Sequence, residues 1–113
     1  MDTQDIDVKA IRFSVSKKGK EAGHAYLYLL QNDLHKEPFG FIEDVFVQEE
    51  YRGEGVGDEL MTALIAKAKE LQCYKLIATS RSDGTRQKVH DWYLRLGFKD
   101  YGTEFRFDLN VSA

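Results

Sequence analysis

The chain has one cysteine, one proline and one tryptophan in 113 residues. Cys73, alone, has no partner for an internal disulfide, which fits a reducing cytosol and an unstapled fold. It falls where a long helix ends, with no obvious base beside it, and reads as a small packed filler rather than a nucleophile. No apolar run approaches the length of a membrane span, and the opening residues MDTQDIDVK are acidic and polar, unlike a secretory leader. Positive charge is not in excess either. A formal net charge of −3 argues against non-specific nucleic-acid binding and is compatible with a cationic substrate. Internal repeats and low-complexity tracts are absent. The length suits a single domain, residues 1–113, around one core. A cytoplasmic protein without nucleic-acid or membrane partners is expected.

What is there is concentrated between Phe39 and Leu71, FGFIEDVFVQEEYRGEGVGDELMTALIAKAKEL. Phe41, Ile42, Val45, Phe46 and Val47 are strand formers by type. Arg52-Gly53-Glu54-Gly55-Val56-Gly57 follows as a glycine-studded turn. Val56, Leu60, Met61, Leu64, Ile65, Ala68 and Leu71 then recur at helical spacing and mark one apolar face. Strand, glycine turn and helix in that order make an anion site. The first helical turn has N–H groups without intrahelical partners, and the macrodipole adds partial positive charge there. Glycine lets that backbone approach a bulky oxyanion. The amides from Arg52 to Asp58 are the expected cradle for a diphosphate, with Arg52 charged at its rim. Glu54 and Asp58 must then point their carboxylates away.

Glycine spacing separates the families that use this device. A dinucleotide fingerprint needs glycine at the first, third and sixth positions, and the sixth is Asp58 or Leu60 in the two frames. A Walker A loop needs Gly-Lys-Ser/Thr after four intervening residues, and Gly57 is followed by Asp58. Arg52-x-x-Gly55-x-Gly57 after an apolar strand resembles the acetyl-CoA signature of the GNAT N-acetyltransferase superfamily, Arg/Gln-x-x-Gly-x-Gly/Ala.

The rest of the chain reads around this stretch. Ile6–Ser16 alternates as a strand with one wetter face, and Lys17-Lys18-Gly19-Lys20 turns it back. Gly23–Leu30 carries apolar or aromatic side chains on both faces and reads as a central strand. Gln31–Pro38 is a connecting loop in which His35 is expected to be solvated. The three strands form a meander. Tyr74–Ser80 reads as a buried strand parallel to Phe41–Val47, joined to it through the helix. After an Asp-Gly loop, Val89, Trp92, Tyr93 and Leu96 define a second helix over Arg86–Leu96, with Gly97 at its left-handed cap. Thr103–Leu109 alternates as a closing strand. Val89-x-x-Trp92-Tyr93-x-x-x-Gly97-Phe98 is similar to the second GNAT signature, Ala-x-x-Phe-Tyr-x-x-x-Gly-Phe. A branch with Ser…Arg-x-x-Ala-His-x-Phe-Tyr is closer still, matched by Ser80, Arg86 and His90.

The resemblance, which covers Gly23 to about Phe107, implies an α/β (α+β) fold: a mixed, mostly antiparallel sheet with two main helices. The usual first strand and two N-terminal helices, which wall the acceptor site, have no counterpart here. It further implies acetyl-CoA as acyl donor, no metal, and direct transfer to a primary amine in a ternary complex. The pantetheine arm would lie along the edge of Val45, Phe46 and Val47, where a bulge opens a gap in the superfamily, and Arg86 joins the cofactor contacts. A free amine has a pKa of about 10.4 and must lose a proton before it attacks. Glu43, unusual in mid-strand, is the expected general base, and Tyr93 the acid that protonates the departing thiolate. By strict alternation Glu43 and Val45 share one side of the pleat, Ile42 and Asp44 the other, and Asp44 reads as structural. The acceptor is a small-molecule or protein amine. An open acceptor side suits a large acceptor, or a homodimer whose second subunit supplies the wall. The alternative is a non-catalytic acetyl-CoA-binding regulatory module acting on a partner protein.

Overall fold

The computed structural model describes residues 1–109. Two compact units divide the chain after Ala78, and each is described by itself. In the first, β1 (Lys9–Lys17), β2 (Lys20–Leu30), β3 (Phe39–Val47) and β4 (Leu76–Ala78) form one sheet in sequence order. β1, β2 and β3 are an antiparallel meander, and β4 is parallel to β3. Parallel neighbours need a crossover, and α1 (Val56–Glu70) provides it. The mixed, mostly antiparallel sheet is therefore present, and no helix precedes β3 among the described residues.

The β1–β2 connection is a two-residue hairpin turn. Lys18 and Gly19 both have positive φ, 52° and 76°, the mirror-image turn whose twist suits paired strands. α1 packs on one face of the sheet. Val56, Leu60, Met61, Leu64 and Ala68 meet Ala25, Leu27 and Ile42 there, all essentially sealed from solvent. The apolar spacing read from the sequence is this buried face. Gly23 and Gly40 permit the close approach: a Cβ on Gly23 would stand 2.8 Å from Val56 Cγ1, and one on Gly40 would stand 2.5 Å from Leu76 Cδ2.

α1 ends without a glycine. Gln72 takes the left-handed conformation at φ 62°, and the Gln72 and Cys73 amides donate to the Lys69 and Ala68 carbonyls at 3.0 Å each. His35 is not simply solvated: its ring stacks on Tyr74 at 3.8 Å between centroids, pinning the β2–β3 loop. Burial raises the Cys73 thiol above its ordinary range, which suits a packed rather than reactive sulfur.

The second unit, from Thr79 onward, holds α2 (Gln87–Arg95). Gly97 caps it as expected, at φ 101°, with the Gly97 and Phe98 amides donating to the Leu94 and Tyr93 carbonyls. Four strand readings need correction. β2 starts at Lys20 rather than Gly23, so Lys20 pairs with Lys17 instead of belonging to the turn. β1 starts at Lys9 rather than Ile6, and Ile6 and Val8 are exposed. β4 shrinks to Leu76–Ala78. Thr103–Leu109 forms no strand, and Phe105 and Phe107 are 94% and 88% exposed. Alternation shows that a segment could cover a pleated face; a strand also needs a neighbouring strand to bond, and no strand among the described residues pairs with this segment.

Candidate functional site

The sheet face opposite α1 carries the polar residues. The register sets Arg12 beside Tyr26 and Tyr26 beside Glu43. Three steps on β3 (from Glu43 to Phe46) then oppose two steps on β2 (Tyr26 to His24), so β3 has a bulge of one extra residue. Asp44 is that residue, with φ 52°. The bulge breaks strict alternation and corrects the pleat reading. Phe46, not Val45, shares the open face with Glu43: it pairs with His24, its ring 5.7 Å from the imidazole. Val47 pairs with Gly23 on the α1 face.

Asp44 does not point away from Glu43's side either. Its Oδ2 accepts a hydrogen bond from His24 Nε2 at 3.0 Å. His24 Nδ1 lies 3.4 Å from Glu21 Oε2, and Arg12 grips Glu21 with two N–H donors at 2.6 and 2.9 Å. That bidentate bond holds the Glu21 carboxyl below the usual carboxylate range, and the Arg12 pKa is raised by the same bond. Glu43 is exposed and takes no side-chain partner among the described residues. It is not an acid held by a neighbouring Arg or Lys.

Just before the bulge the β3–β4 pairing ends. β4 bonds to β3 only through the pairs Gly40–Leu76, Phe41–Ile77 and Ile42–Ala78. From Glu43 onward β3 has β2 on one side and no β4 partner on the other, so Val45, Phe46 and Val47 have no paired strand there among the described residues, and the Val47 carbonyl is taken by Arg52. That edge leads into the glycine turn. Gly53 and Gly55 have φ of 84° and 81°, and a Cβ at either would meet nothing within 4 Å. Their need is therefore conformational, and the space above them is open. Gly55 is the N-cap of α1 and no side chain caps the helix. The first intrahelical bond is from Glu59 N–H to Gly55 C=O at 3.0 Å. The Val56 and Gly57 amides open the first turn, ahead of that bond, while the Val56 side chain is locked in the core. Arg52 donates from Nε to the Val47 carbonyl at 3.0 Å, tying the turn to the end of β3, and its guanidinium lies 5.9 Å from the Phe46 ring. Glu54 lines a cleft toward the hairpin turn with Lys17, Lys18 and Lys20. Asp58 is exposed.

The remaining candidates lie in the second unit. Tyr93 is half-buried, with ring centroids of Trp92 and Phe98 at 5.2 and 5.3 Å. Arg86 is the N-cap of α2. His90 donates from its ring to the Arg81 carbonyl at 2.8 Å, which makes it a clasp for the preceding loop. Ser80 Oγ is buried without a partner. No group of three His, Cys, Asp or Glu that could hold a metal occurs among the described residues. No helix there is long and apolar enough to cross a membrane. Reading the letters missed Gly23, whose only signal is a glycine inside an otherwise bulky strand. It also missed the Arg12–Glu21–His24–Asp44 chain, for which alternation could have set His24 beside Tyr26 but not across from an unforeseen bulge.

These features define a class: an α/β domain of the N-acetyltransferase fold. The chain belongs to the acetyltransferase (GNAT) family, which it matches over residues 3–98. Glucosamine 6-phosphate N-acetyltransferase of Trypanosoma brucei brucei is 37% identical over 70 residues, 62% of this chain and 44% of that protein. The chain thus matches less than half the length of that relative. Aminoglycoside N(6')-acetyltransferase type 1 of Stenotrophomonas maltophilia is 30% identical over 111 residues, 92% of this chain and 70% of the relative. The crystal structure of a Trypanosoma brucei acetyltransferase superimposes with a TM-score of 0.77 at 30% identity, over 88% of this chain and 69% of that one.

Proposed function

We propose that this chain is an acetyl-CoA-dependent N-acetyltransferase that moves the acetyl group directly to a primary amine in a ternary complex, within one catalytic domain. The observation that supports the reading is the end of β3–β4 pairing at Ile42–Ala78, with β3 running on to Val47, followed in the chain by two left-handed glycines under open space. A diphosphate fits that turn because no side chain caps the helix start and nothing occupies the volume a Cβ would take at Gly53 or Gly55. The amides from Gly53 toward the start of α1 would hold it, Arg52 adding charge while its own N–H is bonded to the Glu49 carbonyl at 3.3 Å. The pantetheine amides would bond along Val45–Val47 as a short added strand, and Arg86 joins the cofactor contacts on the family resemblance.

Glu43 takes the proton of the incoming ammonium, directly or through a water, and the neutral nitrogen attacks the thioester carbonyl. The carbon–nitrogen bond forms, the carbon–sulfur bond breaks, and the thiolate leaves with a proton, a role the resemblance gives to Tyr93. Tyr26, Tyr28 and Phe46 flank Glu43's side of the sheet and offer apolar faces to an acceptor. With relatives named for glucosamine 6-phosphate and aminoglycosides, an amine borne on a sugar is the acceptor class we favour. A second copy of the chain is the proposed source of any wall the acceptor side needs.

Thiol release should depend on an added amino-sugar. Glu43→Gln should lower kcat at least about 100-fold, the usual worth of a general base, with stability within about 0.5 kcal/mol because the side chain is exposed. Tyr93→Phe should also lower kcat. Acetyl-CoA binding without release across a broad amine panel would shift the reading to a regulatory module; no binding at all would sink both.

A further inference from the structure

The bulge in β3 stands at a residue that needs holding. Asp44 has φ 52°, a backbone state that L residues avoid and that Asp tolerates chiefly when a local hydrogen bond secures it. We propose that His24 is the positioning residue that secures it, donating from Nε2 to the Asp44 carboxylate, and so sets which faces Val45 and Phe46 take along the cofactor edge of β3, beside Glu43. The inference rests on the reading that this edge binds acetyl-CoA.

His24 sits at the step where the β2–β3 register shifts, so its ring faces the extra residue directly. Its bond to Asp44 Oδ2 is 3.0 Å long. The ring is itself fixed from three sides. Glu21 lies 3.4 Å from Nδ1, Tyr26 stands edge-on at 6.0 Å, and Phe46 lies at 5.7 Å. Glu21 in turn is clamped by Arg12 from β1. The charged groups facing the imidazole are thus Glu21 from β2, Arg12 behind it from β1 and Asp44 from β3. The chain runs from a rigid hairpin to the one residue whose conformation decides whether β3 stays flat. A flat β3 would put Glu43 and Val45 on one face and return Phe46 to the α1 side, by one-residue slippage of the pleat.

The test uses the whole chain. Acetyl-CoA affinity is measured by calorimetry, and kcat and KM with an amino-sugar, for His24→Phe, His24→Gln, Asp44→Ala and the Phe/Ala double variant. His24→Phe keeps the ring volume and loses the donor, whereas glutamine places its amide near the position of Nε2. His24→Phe and Asp44→Ala should each weaken acetyl-CoA binding about tenfold, the worth of one charge-assisted hydrogen bond. The double variant should be no worse than either single, because both cut the same link. His24→Gln should recover most of the affinity. A folded His24→Phe with wild-type affinity, or losses that multiply in the double variant, overturns the proposal. The Asp44 backbone coupling constant, read by NMR without cofactor, should report left-handed φ in the wild type and change in His24→Phe. If wild-type chain binds no acetyl-CoA, the functional reading falls with the cofactor half of this inference; the coupling constant alone then upholds or refutes the tether.

Discussion

Single residues in this protein act through the hydrogen bonds their neighbours leave open. Glu43 lies next to a four-residue charged chain and belongs to none of it. Glu21, by contrast, is held by Arg12, and that hydrogen bond keeps its carboxyl below the ordinary glutamate range. A carboxyl whose folded pKa is depressed contributes stability that is present above its unfolded value and lost as pH falls through the folded one. Exposure of the pair keeps that contribution small. An NMR titration should find Glu21 titrating below the ordinary glutamate range, and Arg12→Met should bring it back up.

At the scale of elements, the position of α1 depends on small residues beneath it and on its two ends. Gly23 lies under the first turn, where a Cβ would also stand 2.8 Å from the Phe46 carbonyl oxygen. Gly23→Ala should cost about 1–3 kcal/mol as an overpacked contact, and should weaken acetyl-CoA binding by displacing the helix start. Gly55→Ala meets open space, so only the left-handed backbone objects, at about 1 kcal/mol. At the other end Gln72 occupies the place glycine usually takes. Gln72→Gly should therefore stabilise the chain by about 0.5–1 kcal/mol, read from the midpoint of urea denaturation with an unchanged slope.

For the whole molecule, the open turn and free edge mean that a bound ligand adds to stability. Acetyl-CoA at 100 times its dissociation constant should add about 2.7 kcal/mol. Hydrogen exchange should then slow at residues 45–47 and 52–58 while the α1 core, already sealed, changes little. Protection spread evenly over the sheet would contradict the placement of the ligand.

Much of this was legible in the letters, for reasons that are local. The α1 face follows from helical spacing, the hairpin from Lys18-Gly19, the α2 cap from Gly97, and the turn before α1 from three glycines at a helix start. Each depends on a few adjacent residues and the conformations they permit. Alternation failed where pairing partners decide: Thr103–Leu109 has the pattern of a strand and no neighbour, and Glu43–Phe46 has an even pleat on paper and a bulge in the sheet. The sequence alone determined the two main helices, the meander strands, the family signatures and the candidate acid and base. Only the tertiary structure decided which face each β3 side chain takes and where β4 leaves β3, because hydrogen-bond register is a property of two strands and is written in neither.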